Sequence, residues 1–295
     1  MADRRIVEAL DPEAAFSILA DGTRLAILRA LWEDDEREVT FTELREATGV
    51  RDPGQFNYHL QKLRSRFVRK TEAGYELSPA GRHVLGSLLA GAFTKTGEIG
   101  PLSVDHPCPS CGEPMAFRYE DENADVFCAA CDLHNSYPVA AGVFAGYEPD
   151  ELPHVAERYA RTVFHRVRNG FCHYCDGPVR PTVRPAREAF DDAEGEVPEI
   201  ATVQYDCGRC HSTFTMDLGS ALFTTPAVVA FHRDHGVDTE AVPIWRFSVV
   251  EEGRSRVTSE EPFRAVVTYA VDDARLALTV DRSLDVVATD RSDSG

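Results

Sequence analysis

A chain of 295 residues with 43% hydrophobic residues is long enough for two or more domains and apolar enough to build real cores, which excludes a chain disordered throughout. It carries 49 acidic against 31 basic residues, a formal charge of −18, so any contact with a polyanion must come from a local basic island. There is no apolar run long enough to cross a bilayer, and MADRRIVEALDPEAA lacks the hydrophobic region of a signal peptide, so a soluble cytoplasmic protein without membrane contact is expected.

Asp11-Pro12 couples an N-cap to a proline at the first helical position and opens a helix holding Phe16, Ile18 and Leu19. Asp21 breaks and recaps the chain, and Leu25, Leu28 and Leu31 give a second helix through LADGTRLAILRALW, followed by the acidic loop EDDERE. Thr40 and Glu43 form a capping box whose short helix is expected to carry Leu44 and Ala47 inward and to end at Gly49. Asp52-Pro53 then starts the next helix, within Arg51 to Lys70. Phe56, Leu60, Leu63 and Phe67 recur there at helical spacing, with His59 beside this apolar face and expected to be partly buried. Gly54, Gln55, Tyr58, Gln61, Lys62 and Ser65 fall roughly opposite. Six positive charges and one negative make the segment +5 in an acidic chain. A polar, basic helix of this kind suits the major groove of double-stranded DNA. Phe67–Thr71 and Gly74–Leu77 read as a hairpin, and Ser78-Pro79 caps a helix whose Val84, Leu85, Leu88 and Leu89 suit a core or a dimer interface equally.

LADGTRLAILRAL, TFTELREATGV, FNYHLQKL and a hairpin ending GYELSPAG together resemble the ArsR-type winged helix-turn-helix of prokaryotic regulators, over Phe16 to Leu89. The resemblance implies a DNA-binding domain over residues 1–95. It implies groove contacts from Gln55, Asn57, Tyr58 and Lys62, phosphate contacts from the helix-end and wing cations Arg66, Arg69 and Lys70, and a homodimer; Gln61 and Ser65, on the same polar face, are expected to join the DNA contacts. Metal-sensing members place cysteines in this domain and this one has none, so metal sensing is not expected here. Use of the winged helix for contacts with transcription machinery is the alternative.

Gly91 to Pro107 reads as a linker. All eight cysteines lie in C-x-x-C pairs: Cys108/Cys111, Cys128/Cys131, Cys172/Cys175 and Cys207/Cys210. Without a signal peptide a disulfide framework is disfavoured, and the spacing is that of four-cysteine zinc ribbons, one over residues 101–140 and one over 171–217. Phe117–Tyr119 and Asp125–Phe127 are expected as strands of the first, and Gly112 as the small residue of its first turn. Pro114 and Pro178 stand three residues after Cys111 and Cys175, and this repetition points to an internal duplication, with the acidic loop FDDAEGEVPE as an insertion in the second copy. His106, His134, His173 and His211 are bystanders, since four thiolates close a structural site. A thioredoxin-like reading would need one reactive pair beside a strand–helix unit, not four pairs in two frames. Residues 101–140 sum to −6 and 171–216 to −4, the wrong sign for a phosphate backbone, so the ribbons are expected to staple the fold or dock proteins.

A helical connector is expected over 147–170, with Val155, Tyr159, Val163 and Val167 spaced by four. Residues 218–289 should form a C-terminal α+β module: a helix from about Pro226 to Gly236, then WRFSVV, FRAVVTYAV, ARLALTVD and LDVVAT as an antiparallel meander. Residues 290–295 read as a disordered tail. His232, Arg233, Asp234 and His235 look like a helix end, and without a nucleophile motif no enzyme is expected. The whole is thus expected to be α+β and multidomain. Only three of the 31 basic residues are lysine, a balance that, with this domain order, resembles regulators of halophilic archaea working in molar salt. A sequence-specific DNA-binding transcription regulator holding two structural zinc ions is the functional expectation.

Overall fold

The computed structural model describes residues 11–33, 38–131, 133–189, 199–247 and 254–293. Most of the loop EDDERE, nearly all of the insertion FDDAEGEVPE and the end of WRFSVV lie outside the described residues. The chain divides into two compact units, Met1–Lys95 and Thr96–Gly295, each mixed α and β.

In the first unit the caps read from the sequence set the helix starts. Asp11 caps α1 (Pro12–Leu19), and the Asp21 carboxylate accepts from the Arg24 N–H at the start of α2 (Gly22–Glu33). Thr40 and Glu43 close a reciprocal capping box on α3 (Phe41–Thr48), and left-handed Gly49 ends it. Asp52 caps α4 (Pro53–Arg64) through the Gln55 N–H at 2.6 Å. The hairpin β1 (Val68–Lys70) and β2 (Tyr75–Leu77) follows, then α5 (Pro79–Leu89), capped by Ser78. Ile27, Leu28, Leu44, Phe56, Leu60 and Leu63 are fully buried in one core. Ala47 is exposed, contrary to expectation; on so short a helix Leu44 is buried, Phe41 packs beside it against Phe56, and Ala47 falls outside that face. The strip on α5 splits, Leu85 buried and Leu89 exposed.

Gly81, in the first turn of α5, lies against the Phe67 carbonyl, which also accepts from the Ser78 N–H, and an added Cβ would collide with that backbone oxygen. Gly81→Ala should therefore destabilise the first unit by about 1–3 kcal/mol. Urea unfolding followed by the signal of this unit measures it, and an unchanged midpoint would refute the close approach.

The second unit contains two sheets with matching frames. The first runs β3 (Ile99–Pro107), β4 (Pro114–Glu120), β5 (Asn123–Cys128), β6 (His134–Pro138); the second runs β7 (Val179–Pro185), β8 (Ala201–Cys207), β9 (Thr213–Asp217). Met115 pairs with Cys128 on β5 as Val179 pairs with Cys207 on β8, and the bridge Pro107–Pro114 is repeated as Phe171–Pro178. The expected linker is therefore half strand: β3 adds an edge to the first sheet, where Pro101 and Pro107 are tolerated because an edge leaves one row of N–H groups unpaired.

Between the sheets runs α6 (Leu152–Arg168). Far from being a mere connector, it buries Val155, Ala156, Ala160, Phe164 and Val167 in a core that continues from Cys108 to Val280. The short α7 (Ala186–Ala189) and α8 (Leu218–Leu222) and the longer α9 (Pro226–Asp234) lead to a four-stranded meander: β10 (Ser255–Glu260), β11 (Phe263–Val271), β12 (Ala274–Val280), β13 (Val286–Ser292). Two expectations are corrected here. The described part of WRFSVV is not strand: Ile244–Arg246 form a 3-10 turn with Trp245 buried, and the strand that pairs with β11 is β10. The expected tail is paired as far as Ser292, which stands opposite Arg275.

A buried polar cluster joins α6 to the loop before that turn. Arg161 donates to Glu157 and to the carbonyls of Thr239 and Val242, and Glu157 accepts from the Ile244 N–H at 3.1 Å. Every group is satisfied, as burial of charge requires.

Candidate metal centres and nucleic-acid interface

Each cysteine pair sits on the same tight turn. The N–H of the first cysteine donates to the carbonyl five residues on: Cys108 to Glu113, Cys128 to Leu133, Cys172 to Gly177, Cys207 to Ser212. Its carbonyl accepts from the residue four on in three turns, Gly112, Asp176 and His211, all with positive φ. Glycine adopts that conformation freely, and aspartate and histidine do so at a cost the turn absorbs. His211 is thus part of a turn and not a ligand.

The turns bring four sulfurs together twice, each set lying within 4.8 Å of one another. Cys108–Cys131 and Cys111–Cys128 are 3.6 and 3.5 Å apart, and Cys172–Cys210 and Cys175–Cys207 are 3.7 and 3.5 Å apart. A disulfide needs about 2.05 Å. A tetrahedral ion with metal–sulfur bonds of about 2.3 Å needs sulfurs about 3.8 Å apart, so both groups fit a single metal ion each. The four predicted sets of paired cysteines therefore come together as expected, and the nearby histidines stay outside them. His134 instead faces Asp125 at 3.2 Å.

The thiols of each group respond to one another. Cys210 is lowered to about 6, first by the Ser212 hydroxyl and then by the Ser212 N–H. Cys128 is lowered to about 7, chiefly by the Ala130 N–H. Cys175 is pushed up to about 12 by desolvation, against the Gly177 N–H, and by its three neighbouring sulfurs. Cys111 is pushed up to about 12 although the Glu113 N–H pulls it down, because desolvation and the other sulfurs outweigh that bond. One thiol ionises early and another resists, since the sulfurs cannot all carry charge at this spacing unless a cation joins them. Ser212, whose hydroxyl lies 3.3 Å from Cys172 Sγ and 3.2 Å from Cys210 Sγ, escaped the sequence reading. Its counterpart in the first frame is Leu133, and that contrast at a fixed offset from the cysteine was the available signal.

On α4 the apolar residues Phe56, Leu60, Leu63 and the following Phe67 are buried, and His59 is buried with them, its Nδ1 3.3 Å from the Asp21 carboxylate. Gln55, Asn57, Tyr58, Gln61, Lys62, Ser65 and Arg66 are all exposed, as are Arg69 and Lys70 on β1. Gln61 links Asn57 and Arg64 along the helix, and the Lys62 ammonium lies 5.7 Å from the Tyr58 ring centre. The carbonyl of Arg66 accepts from the Ser78 hydroxyl at 2.7 Å, which fixes the exit of α4 against the start of α5. Glu76 stands opposite Arg69 in the hairpin register.

Two family models match the chain. One, described as "Domain of unknown function (DUF7351)", covers residues 105–286 and takes in both four-cysteine groups. The other, "Domain of unknown function (DUF7347)", covers residues 12–88. The gap between the two matches contains the division between the two compact units. No curated protein and no solved structure matches. No helix among the described residues is long and apolar enough to cross a membrane.

Proposed function

The chain belongs to the DUF7351 family, whose model spans more than half of it, and we propose that it is a sequence-specific DNA-binding transcription regulator held together by two structural zinc ions. The observation that carries the reading is α4: an exposed row of amide, phenol and cationic side chains, +5 over Arg51–Lys70, backed by a fully buried apolar face in a chain of −18. Supporting it are the short pair α3 and α4, the hairpin after them, and the ArsR-type winged helix-turn-helix that these segments resemble. Gln55, Asn57, Tyr58, Gln61, Lys62 and Ser65 read base edges, and Arg66, Arg69 and Lys70 hold phosphates. Exposed Phe16 on α1, Leu89 on α5 and Phe93 support a homodimer closed by these apolar groups.

Zinc is the metal we assign to both four-thiolate groups, because a closed tetrahedral set of soft thiolates is its usual structural site. The ion supplies the positive charge that lets Cys108, Cys111, Cys128 and Cys131, and likewise Cys172, Cys175, Cys207 and Cys210, stand together. Reduced thiols suit the cytoplasm.

Selection from random duplexes by zinc-loaded protein in high KCl should enrich one motif. Gln55→Ala and Tyr58→Ala should each weaken binding to it by about 1–3 kcal/mol and relax the preference at one position. Enrichment of no motif would favour an adaptor that docks on transcription machinery, and wild-type affinity in both variants would remove α4 from the groove.

A further inference from the structure

The two frames act as controls for each other, and the second carries more than the turns require. Around the first pair of turns stand Pro107, Pro109, Ser110 and Ala130; the same positions of the second hold Phe171, His173, Tyr174 and Arg209. Both frames make the same backbone bonds and gather their sulfurs at the same spacing. The first copy demonstrates that neither rings nor a cation are needed for that. The rings of the second copy are also in the open: Tyr174 is 69% and Phe171 54% exposed. His173 backs Tyr174, their ring centres 3.9 Å apart, and rests in turn on Phe214, so the Tyr174 ring is braced on one side.

We propose that this knuckle surface, with the last turns of α6, binds single-stranded DNA by stacking unpaired bases on Tyr174 and Phe171. Continuity with α6 is built in: the Phe171 N–H donates to the Arg166 carbonyl, and the Arg166 guanidinium pairs with Asp176. The other carboxylate here, Asp206, accepts from Gln204 and Thr213, at 2.9 Å each. Arg180 and Arg209 are exposed and have no carboxylate partner among the described residues, and Arg209 donates to the Cys175 carbonyl at 2.9 Å. Exposed neighbours are mostly planar or polar (His165, Asn169, His211, Thr213), with Pro178, bridged to Phe171, as the apolar exception. Exposed rings with guanidinium groups nearby, Arg166 and Arg209, match the stacking platforms of single-strand binders, and duplex DNA hides the base faces such rings need.

The −4 summed over residues 171–216 concealed this surface. Six of the eight acidic residues lie between Glu188 and Glu199. Four of these, Asp191, Asp192, Glu194 and Glu196, lie outside the described residues, and Pro185↔Ala201, the β7–β8 pair next to this stretch, is six residue pairs, or about 20 Å along the strands, from Val179↔Cys207. Stacking also survives salt better than phosphate pairing does. The choice of DNA over RNA rests on the reading of α4; the platform itself uses none of the same residues.

The test is fluorescence anisotropy of full-length, zinc-loaded protein with labelled oligo-dT, oligo-rU of equal length, and a duplex. Oligo-dT should bind, and the Phe171→Ala/Tyr174→Ala double variant should bind it about tenfold or more weakly. Its metal content and duplex affinity should match wild type. Undiminished oligo-dT binding by the double variant overturns the platform, and tighter binding of oligo-rU overturns the assignment to DNA. A wild-type protein that holds duplex but ignores oligo-dT overturns the proposal and leaves the rings to a protein partner. Failure of duplex binding with oligo-dT binding intact would instead count against α4 alone.

Discussion

Stripping zinc from the intact chain should unfold the second unit and leave the first folded. The two cores are separate sets of residues, and only the second contains cysteines: Cys108, Cys128, Cys172 and Cys207 are buried in it beside Met115, Leu133 and Val179. Structural zinc contributes about 10–16 kcal/mol to the folding of isolated small sites at neutral pH. In this unit α6 and the meander share the core, so part of that loss will be recovered by residual packing. With two such sites the loss is about 20–32 kcal/mol before that recovery, above the range of about 5–15 kcal/mol that a whole domain of ordinary stability has in hand. Once the cations are gone the eight cysteines, 3.5 to 3.7 Å from their nearest neighbours, cannot all stay ionised, and each pair of turns loses the ion that tied it together. Limited proteolysis with and without a chelator, under reducing conditions, reads the outcome. Residues 11–93 should survive as a fragment while the second unit is digested. A second unit equally resistant in both states, or elemental analysis finding nothing near two zinc ions per chain, would refute structural zinc.

Arg161→Ala should be the most damaging single change away from the cysteines. It leaves Glu157 buried beside the Ile244 N–H without its guanidinium, and frees the carbonyls of Thr239 and Val242. Breaking a buried pair from one side costs about 3–5 kcal/mol, because the survivor keeps an uncompensated charge in a dry interior. The Phe223 ring, 5.4 Å from the guanidinium carbon, loses its cationic neighbour as well. Removing both charges together, as Glu157→Leu/Arg161→Met, should recover much of the loss. In urea the transition of the second unit should move to lower denaturant while that of the first stays put. A shift below about 1 kcal/mol would mean that water reaches the pair and screens it.

What could be read from the residues alone divides along a physical line. The starts of α1, α3, α4 and α5 were legible because a cap and a proline act within a single turn; Asp11, Thr40, Asp52 and Ser78 each bond an N–H two or three residues away. The buried face of α4 was legible from its period. The two metal groups were legible because a C-x-x-C turn points both its sulfurs one way whatever surrounds it, and two such turns of matching spacing have few other uses. Ser212 was less legible: its contrast with Leu133 marks the position, but that its hydroxyl reaches two sulfurs is decided only by the folded turn.

Strand identity at the edges depended on partners far away in sequence. Nothing local distinguishes Ile99–Pro107 from a linker until β4 lies alongside it, and nothing marks Ser255–Glu260 as the strand in preference to WRFSVV until β11 selects it. Likewise the chain past Asp290 looks like a tail but is paired with β12. Within the second unit the same dependence on distant partners holds. The ribbons, connector and C-terminal module each have their own pattern, yet their apolar faces are completed by one another, so the unit is one core from Cys108 to Val280. The sequence by itself determined the local chemistry: which residues cap, which ligate, which face of α4 is polar. Only the tertiary structure decided which edges pair, which charges are buried together and which rings stay in the open, because those outcomes depend on area shared between segments that the chain brings together only on folding.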